Sequence, residues 1–137
     1  MPNFDSNDDG TRIADLSQFD LQHELAESQR HKLWASGIHA KTLDKRQDFR
    51  VVLISMEAGA LIKEHHADGT SSVQLLKGHI RYSTQGQVYD LGVGKLLTLG
   101  ASIKHEVQAM EESALLLTIS WPGNRELAAM SHRGYGT

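Results

Sequence analysis

The sequence predicts an all-β domain, an antiparallel barrel or sandwich of short strands preceded by one short helix. Three observations carry the expectation. Apolar and polar residues alternate at period two through most of the chain after Trp34. The 12 glycines fall mostly between Gly59 and Gly136, where a turn-rich chain needs them. Helical spacing of apolar residues is confined to the front of the chain, between Phe19 and Leu33.

Taken in order, residues 1–15 lack apolar periodicity and are expected to form a mobile N-terminal arm. In "FDLQHELAESQRHKL" the spacing of Leu21, Leu25 and Leu33 predicts one amphipathic helix that covers one end of a sheet, with Asp20 or Ser17 as N-cap. "GIHAKTLDKRQDFRVVLISM" reads as two strands joined by a polar turn at 44–48, the second running from Phe49 to Met56 and rich in β-branched residues. Six further strands are expected at 71–76, 79–83, 87–91, 95–99, 105–110 and 114–120. Trp121-Pro122-Gly123 stops the last strand, and 123–137 reads as a tail in which Asn124 to Met130 has the composition of a helical turn. At 137 residues this is one domain, 16–122, able to bury a single core.

Composition removes several functional classes. A net charge of -3 with 14 scattered Lys and Arg offers no basic stripe, so nucleic acid is not an expected partner. Cysteine is absent, which rules out disulfides and thiolate metal sites. Met1 to Gly10, "MPNFDSNDDG", is acidic where a secretory signal is basic and then apolar, and no run reaches the length of a membrane span. A cytoplasmic protein without membrane contact is the expectation. No Gly-x-Ser-x-Gly elbow, phosphate loop, dinucleotide fingerprint or His-Glu-x-x-His occurs.

The stretch "GALIKEHHADGTSSVQLLKGHI" carries a resemblance. Gly59, five residues and His65, closed by Gly78 in "LLKG", are similar to the first motif of the cupin superfamily, in which Gly and five residues precede His-x-His, a Glu and a closing Gly. "GVGKLLTLGASIKH" is similar to the second motif through Gly94, the apolar Leu96 to Leu99, and His105. The chain thus resembles a small single-domain, RmlC-like cupin with degenerate metal-binding motifs. The resemblance implies a double-stranded β-helix, a jelly-roll barrel, with one short N-terminal helix. It also implies a homodimer, to which the Ile38 to Leu43 strand and the preceding helix would contribute an exchanged edge. The departures bear on chemistry: the second motif histidine falls on Ala67, the motif glutamate falls near Ser71, and Gly-Asp and proline of the second motif become Gly94-Lys95 and Gly100. Of the four ligands that the family usually supplies, His65 and His105 carry over by position.

Imidazoles suit zinc, nickel, iron or copper, and a firm site takes three or four donors. Successive strand residues point to opposite faces, so His65 and His66 both face the interior only if a bulge or turn intervenes; with one, His65, His66 and His105 make a three-histidine site. The bland alternative is a pair of interior histidines bonded to each other, to water, or to Ser71 or Ser72, with no metal. Ser71, Val73 and Leu75 share the face of the missing glutamate and, with Leu97 and Leu99, line the expected ligand pocket. Gln74 is a further pocket candidate that strand parity places on the other face. His79 and Arg81 read as surface residues, and Glu111-Glu112 as a solvated turn.

The expectation is a cupin barrel that binds a small molecule in the barrel, with one divalent transition metal or with no cofactor. The alternative is a metal-dependent cupin enzyme of the dioxygenase or isomerase type, against which the missing glutamate and displaced histidine argue.

Overall fold

A computed structural model of the 137-residue chain describes residues 15–30, 32–65 and 68–121, the side chains of 64 and 65 excepted. The expected tail with its helical turn, and all but the last residue of the expected arm, lie outside the described residues.

Helix α1 spans Leu21–Arg30. Asp20 is its N-cap: the His23 amide donates to Asp20 Oδ1 at 3.1 Å, and the Glu24 amide donates to the Asp20 carbonyl at 3.0 Å. The helix stops short of Leu33, which is 96% exposed. Beyond Arg30 the chain folds back, and the Trp34 indole Nε1 donates to the Ser28 carbonyl at 3.0 Å, satisfying one of the acceptors that a helix leaves over at its C-terminus.

Nine strands follow among the described residues: β1 Ile38–Lys45, β2 Phe49–Met56, β3 Leu61–His65, β4 Thr70–Lys77, β5 His79–Thr84, β6 Gln87–Gly92, β7 Leu96–Leu99, β8 His105–Ala109 and β9 Ser113–Ser120. They form a five-stranded sheet, β1-β2-β9-β4-β7, and a four-stranded sheet, β3-β8-β5-β6, antiparallel throughout. Eight strands lie where the alternation predicts them, with ends shifted by a residue or two. The ninth, β3, escapes because "KEHH" masks its alternation. β1 pairs along its length with β2 of its own chain.

The core lies between the sheets. Val52, Ile54 and Met56 of β2, Val73 and Leu75 of β4, and Leu115, Leu117 and Ile119 of β9 face Ile80 and Tyr82 of β5 and Val107 and Ala109 of β8. Burial of each large side chain is worth about 1.5–3 kcal/mol. β2 is buried on its other face too, because Leu53 and Ser55 are also covered. The Ser28 hydroxyl of α1 donates to the Leu25 carbonyl at 2.7 Å and lies 3.4 Å from the Ser55 hydroxyl. The helix therefore rests on the outer face of the five-stranded sheet, with contacts at the end that holds Ser55, Lys77 and Ala114, which explains why "RVVLISM" reads as a nearly continuous apolar run.

Candidate functional site at the His105 end of the barrel

Strand connections define the two ends of the barrel. β3 ends at His65 and β4 begins at Thr70, β7 ends at Leu99 and β8 begins at His105, and β2 begins at Phe49 where β9 ends at Ser120. All of these termini share one end.

His105 faces inward because it alternates with Val107 and Ala109 of the core, and it is 8% exposed. Its ring stacks on Tyr82 with centroids 4.9 Å apart and planes at 21°. Burial pushes the Tyr82 phenol up, so it stays neutral. His105 Nδ1 lies 3.0 Å from the Ile103 carbonyl oxygen. A carbonyl only accepts, so Nδ1 carries the proton and the lone pair of the neutral ring resides on Nε2. Metal-ligating and substrate-polarising imidazoles are fixed in this way.

Beside His105 lies a cavity of about 20 Å³, lined also by Ile54, Ile62, Val73, Tyr82, Val107, Leu115 and Leu117. That volume takes one water or one ion. An organic ligand does not fit in it.

Register brings position 65, the other carried-over histidine, to the same end of the barrel. Ile62 pairs with Val107 and His65 with His105, so β3 takes three steps where β8 takes two. This bulge sets position 65, and not 64, opposite His105. His66 lies outside the described residues. Among the described residues no three His, Asp or Glu side chains gather into a group able to hold a metal. The described side chains therefore do not by themselves fit a resident divalent ion.

The other expected pocket residues divide. Val73 lines the cavity. Ser71 is buried on the inner face at the His105 end, opposite Leu99 and Ile119. Leu75 and Leu99 are buried in the core and Leu97 packs against it, outside the cavity lining. Gln74 is exposed on the outer face of β4, opposite Leu96 and Leu116, as the alternation of the strand requires. His79 and Arg81 sit at the surface, where His79 Nε2 and Arg81 Nε are 3.1 and 3.2 Å from Asp90 Oδ1; these contacts hold the Asp90 carboxyl below its usual range.

Three buried residues at or near this end were not anticipated. Tyr82 stacks on the histidine. Arg50, only 3% exposed, alternates with Val52 and Ile54 and is paired with Ile119, so it faces inward; its guanidinium lies 4.9 Å from the Trp121 ring centroid. Asp68, also buried, precedes β4 at the same end. An arginine at an inward position of an otherwise apolar strand was the signal available in the sequence.

A larger groove, about 210 Å³, lies on the other side of the five-stranded sheet between α1 and the residues around Ser55, Lys77 and Ala114. Its carboxylate, Glu112, accepts from Lys32 Nζ at 2.6 Å, Gln29 Nε2 at 2.7 Å and Lys77 Nζ at 3.3 Å, which bring its pKa down to about 2. The Glu111-Glu112 turn thus clamps the helix to the barrel.

No protein-family model matches the chain, and no curated protein matches it. Solved structures do. A conserved protein of unknown function from Streptococcus pyogenes superposes with a TM-score of 0.65 at 24% identity, over 81% of this chain and 95% of that one. A cupin superfamily protein from Desulfitobacterium hafniense gives 0.65 at 17% identity, over 81% and 99%. An RmlC-like cupin from Shewanella frigidimarina gives 0.60 at 17% identity, over 68% and 83%. Two antiparallel sheets closed around an inward histidine, and these superpositions, establish that the chain has the cupin fold.

Proposed function

We propose that this barrel is a small-molecule-binding module whose polar anchor is His105. The carrying observation is the fixed imidazole: Nδ1 is committed to the Ile103 carbonyl and Tyr82 holds the ring plane at the end of an apolar interior. A buried imidazole held in one orientation is a polar anchor for a hydroxyl or amide of a ligand entering from the barrel end. The test is a fragment-library titration followed through the imidazole nitrogen resonances of His105. Saturable binding that moves the Nε2 resonance, and is lost in His105→Ala, is expected. Binders that leave those resonances unmoved would remove His105 as the anchor.

A metal-loaded barrel is the second reading, supported by the register that sets His65 opposite His105. It requires at least one donor beyond these two. Elemental analysis after exposure to zinc, nickel, iron or copper, repeated on His65→Ala and His105→Ala, decides it. Near-stoichiometric metal that both substitutions abolish supports this reading and would justify oxygenase and isomerase assays; metal-free wild type refutes it.

A further inference from the structure

We propose that a second copy of this chain docks on β6, strand against strand about a two-fold axis at Tyr89, a property independent of binding at the His105 end. Among the described residues the sheets end in four edges, β1 and β7 on one and β3 and β6 on the other. An open edge templates pairing with another chain unless it is short, bulged or guarded by lysine. β1, the edge that the family resemblance offers to a dimer, holds Lys41 and Lys45 and breaks register between Thr42 and Asp44. β3 holds Lys63 and its own bulge between Ile62 and His65. β7 has only four residues. β6 has none of these devices: it contains no lysine or proline, and its register with β5 runs unbroken from the Thr84/Gln87 pair to the His79/Gly92 pair.

The surface along that edge is apolar. Val88 is 56% and Tyr89 42% exposed, and Val93 and Leu96, in the turn and the strand that follow, are exposed as well. Tyr89 pairs with the buried Tyr82 and so belongs to the inner face, yet it is open to water because no described strand lies beyond β6. The one charged side chain of β6, Asp90, is matched within its own sheet by His79 and Arg81. A strip whose charge is already balanced does not repel its own copy.

Backbone geometry selects the register. The turn between β5 and β6 has two residues, Gln85 and Gly86, with φ of 52° and 75°, the type I′ hairpin whose flanking residues, Thr84 and Gln87, bond to each other. Tyr89 and Leu91 therefore direct their N–H and C=O groups at β5, and Val88 and Asp90 direct theirs outward. The Gly92 carbonyl is taken by the Lys95 amide at 3.1 Å. An antiparallel copy keeps inner face beside inner face only if odd-numbered residues oppose odd-numbered ones. A centre at Asp90 would oppose two carboxylates, and a centre at Val88 would set Asp90 against Gly86 in the turn. A centre at Tyr89 sets Val88 opposite Asp90 of the copy and Asp90 opposite Val88, so the outward groups of both residues are bonded. Tyr89 then meets its own counterpart in a non-hydrogen-bonded pair, with Cα atoms about 4.5 Å apart and the rings in contact.

The test is the oligomeric state of the full chain, by analytical ultracentrifugation over a concentration series, joined to single-cysteine crosslinking. The wild type is expected to show a monomer–dimer equilibrium with no larger species, because a two-fold contact uses up the edge on which it is made. Val88→Pro removes an outward N–H without breaking the ladder to β5, and Val88→Glu sets a carboxylate opposite Asp90 of the copy. Each should raise the dimer Kd at least about 10-fold. The chain has no cysteine, so Tyr89→Cys carries a single thiol. A Cα separation of about 4.5 Å lies within the range of about 4.4–6.8 Å that a disulfide spans. Mild oxidation should convert most of Tyr89→Cys to a covalent dimer and leave Lys41→Cys, on β1, largely monomeric. The wild-type state is read without any variant, so a substitution that fails to fold does not rescue the idea. A wild type that stays monomeric, a dimer that both Val88 variants leave intact, or faster crosslinking at 41 than at 89 overturns it. Hydrogen exchange then says what a monomer means: protected Val88 and Asp90 amides would show that another segment of the chain covers β6, and freely exchanging ones that the edge awaits a different partner. Either result excludes the second copy.

Discussion

The two ends of the barrel are built on opposite plans. At the end away from His105, where β4 turns into β5 and β9 begins, buried polar groups are few and are closed on one another. The Ser113 hydroxyl accepts the His79 amide at 3.0 Å and lies 2.7 Å from the Glu111 carbonyl, to which it donates. Gly78 adopts φ of +86°, and a Cβ there would stand 2.3 Å from the Glu112 carbonyl oxygen. At the other end Arg50, Asp68, Ser71 and His105 are all buried. One end invests its sequence in closure and the other places charge and imidazole where hydrocarbon would be more stable. Stability and recognition are therefore separable by position along the barrel axis.

Gly78→Ala should show the largest effect, about 3 kcal/mol of lost stability, because the methyl meets backbone in a left-handed turn that has no room to yield. A fall in the urea midpoint at constant slope measures it. Ser113→Ala should cost about 1–3 kcal/mol, since the His79 amide loses its acceptor, and His105 resonances should not move. His105→Ala should cost less, about 1–2 kcal/mol for the Tyr82 stack and the Ile103 hydrogen bond, yet abolish binding. A stability loss in His105→Ala equal to that in Gly78→Ala would erase the contrast between the ends.

The smallest effect concerns Glu112. Its carboxyl is harder to protonate in the folded chain, about 2 against an ordinary 4.5, so the ionised form stabilises the fold above about pH 4.5. That contribution is lost as the pH falls from 4.5 towards 2. The side chain is one-third exposed, so each ion pair is worth at most about 1 kcal/mol. Glu112→Gln should flatten the acid limb of the stability profile and leave neutral-pH binding intact; an unchanged limb would mean that the clamp on α1 is carried by its apolar contacts.

Much of this was legible from residue patterns. Strands such as Phe49–Met56 and His79–Thr84 announce themselves by alternation, and Asp20 announces the start of α1. β3 did not, since its charged residues hide the period and its bulge breaks it between Ile62 and His65. The site was half visible. The resemblance to the two cupin motifs pointed to His65 and His105, but their juxtaposition depends on the bulge, which no local signal specifies. Leu75, Leu97 and Leu99 are apolar and inward and so look like pocket residues; whether an inward leucine meets a cavity or another leucine is decided by the facing sheet. Tyr82 became a site residue through a cross-strand contact between β5 and β8 of one sheet, which no sequence neighbour of His105 reveals.

β9 lies between β2 and β4 at the centre of the five-stranded sheet, with Phe49 paired to Ser120 across about half of the chain. A ribosome delivers residues from the N-terminus, so β2 and β4 emerge with facing edges that no earlier strand fills. The polypeptide must hold two β-rich edges apart until residue 120 has left the exit tunnel, and only then does the sheet become continuous. A chain interrupted before Ser113 lacks the strand that covers both of those edges, and exposed strand edges are templates for pairing with another chain.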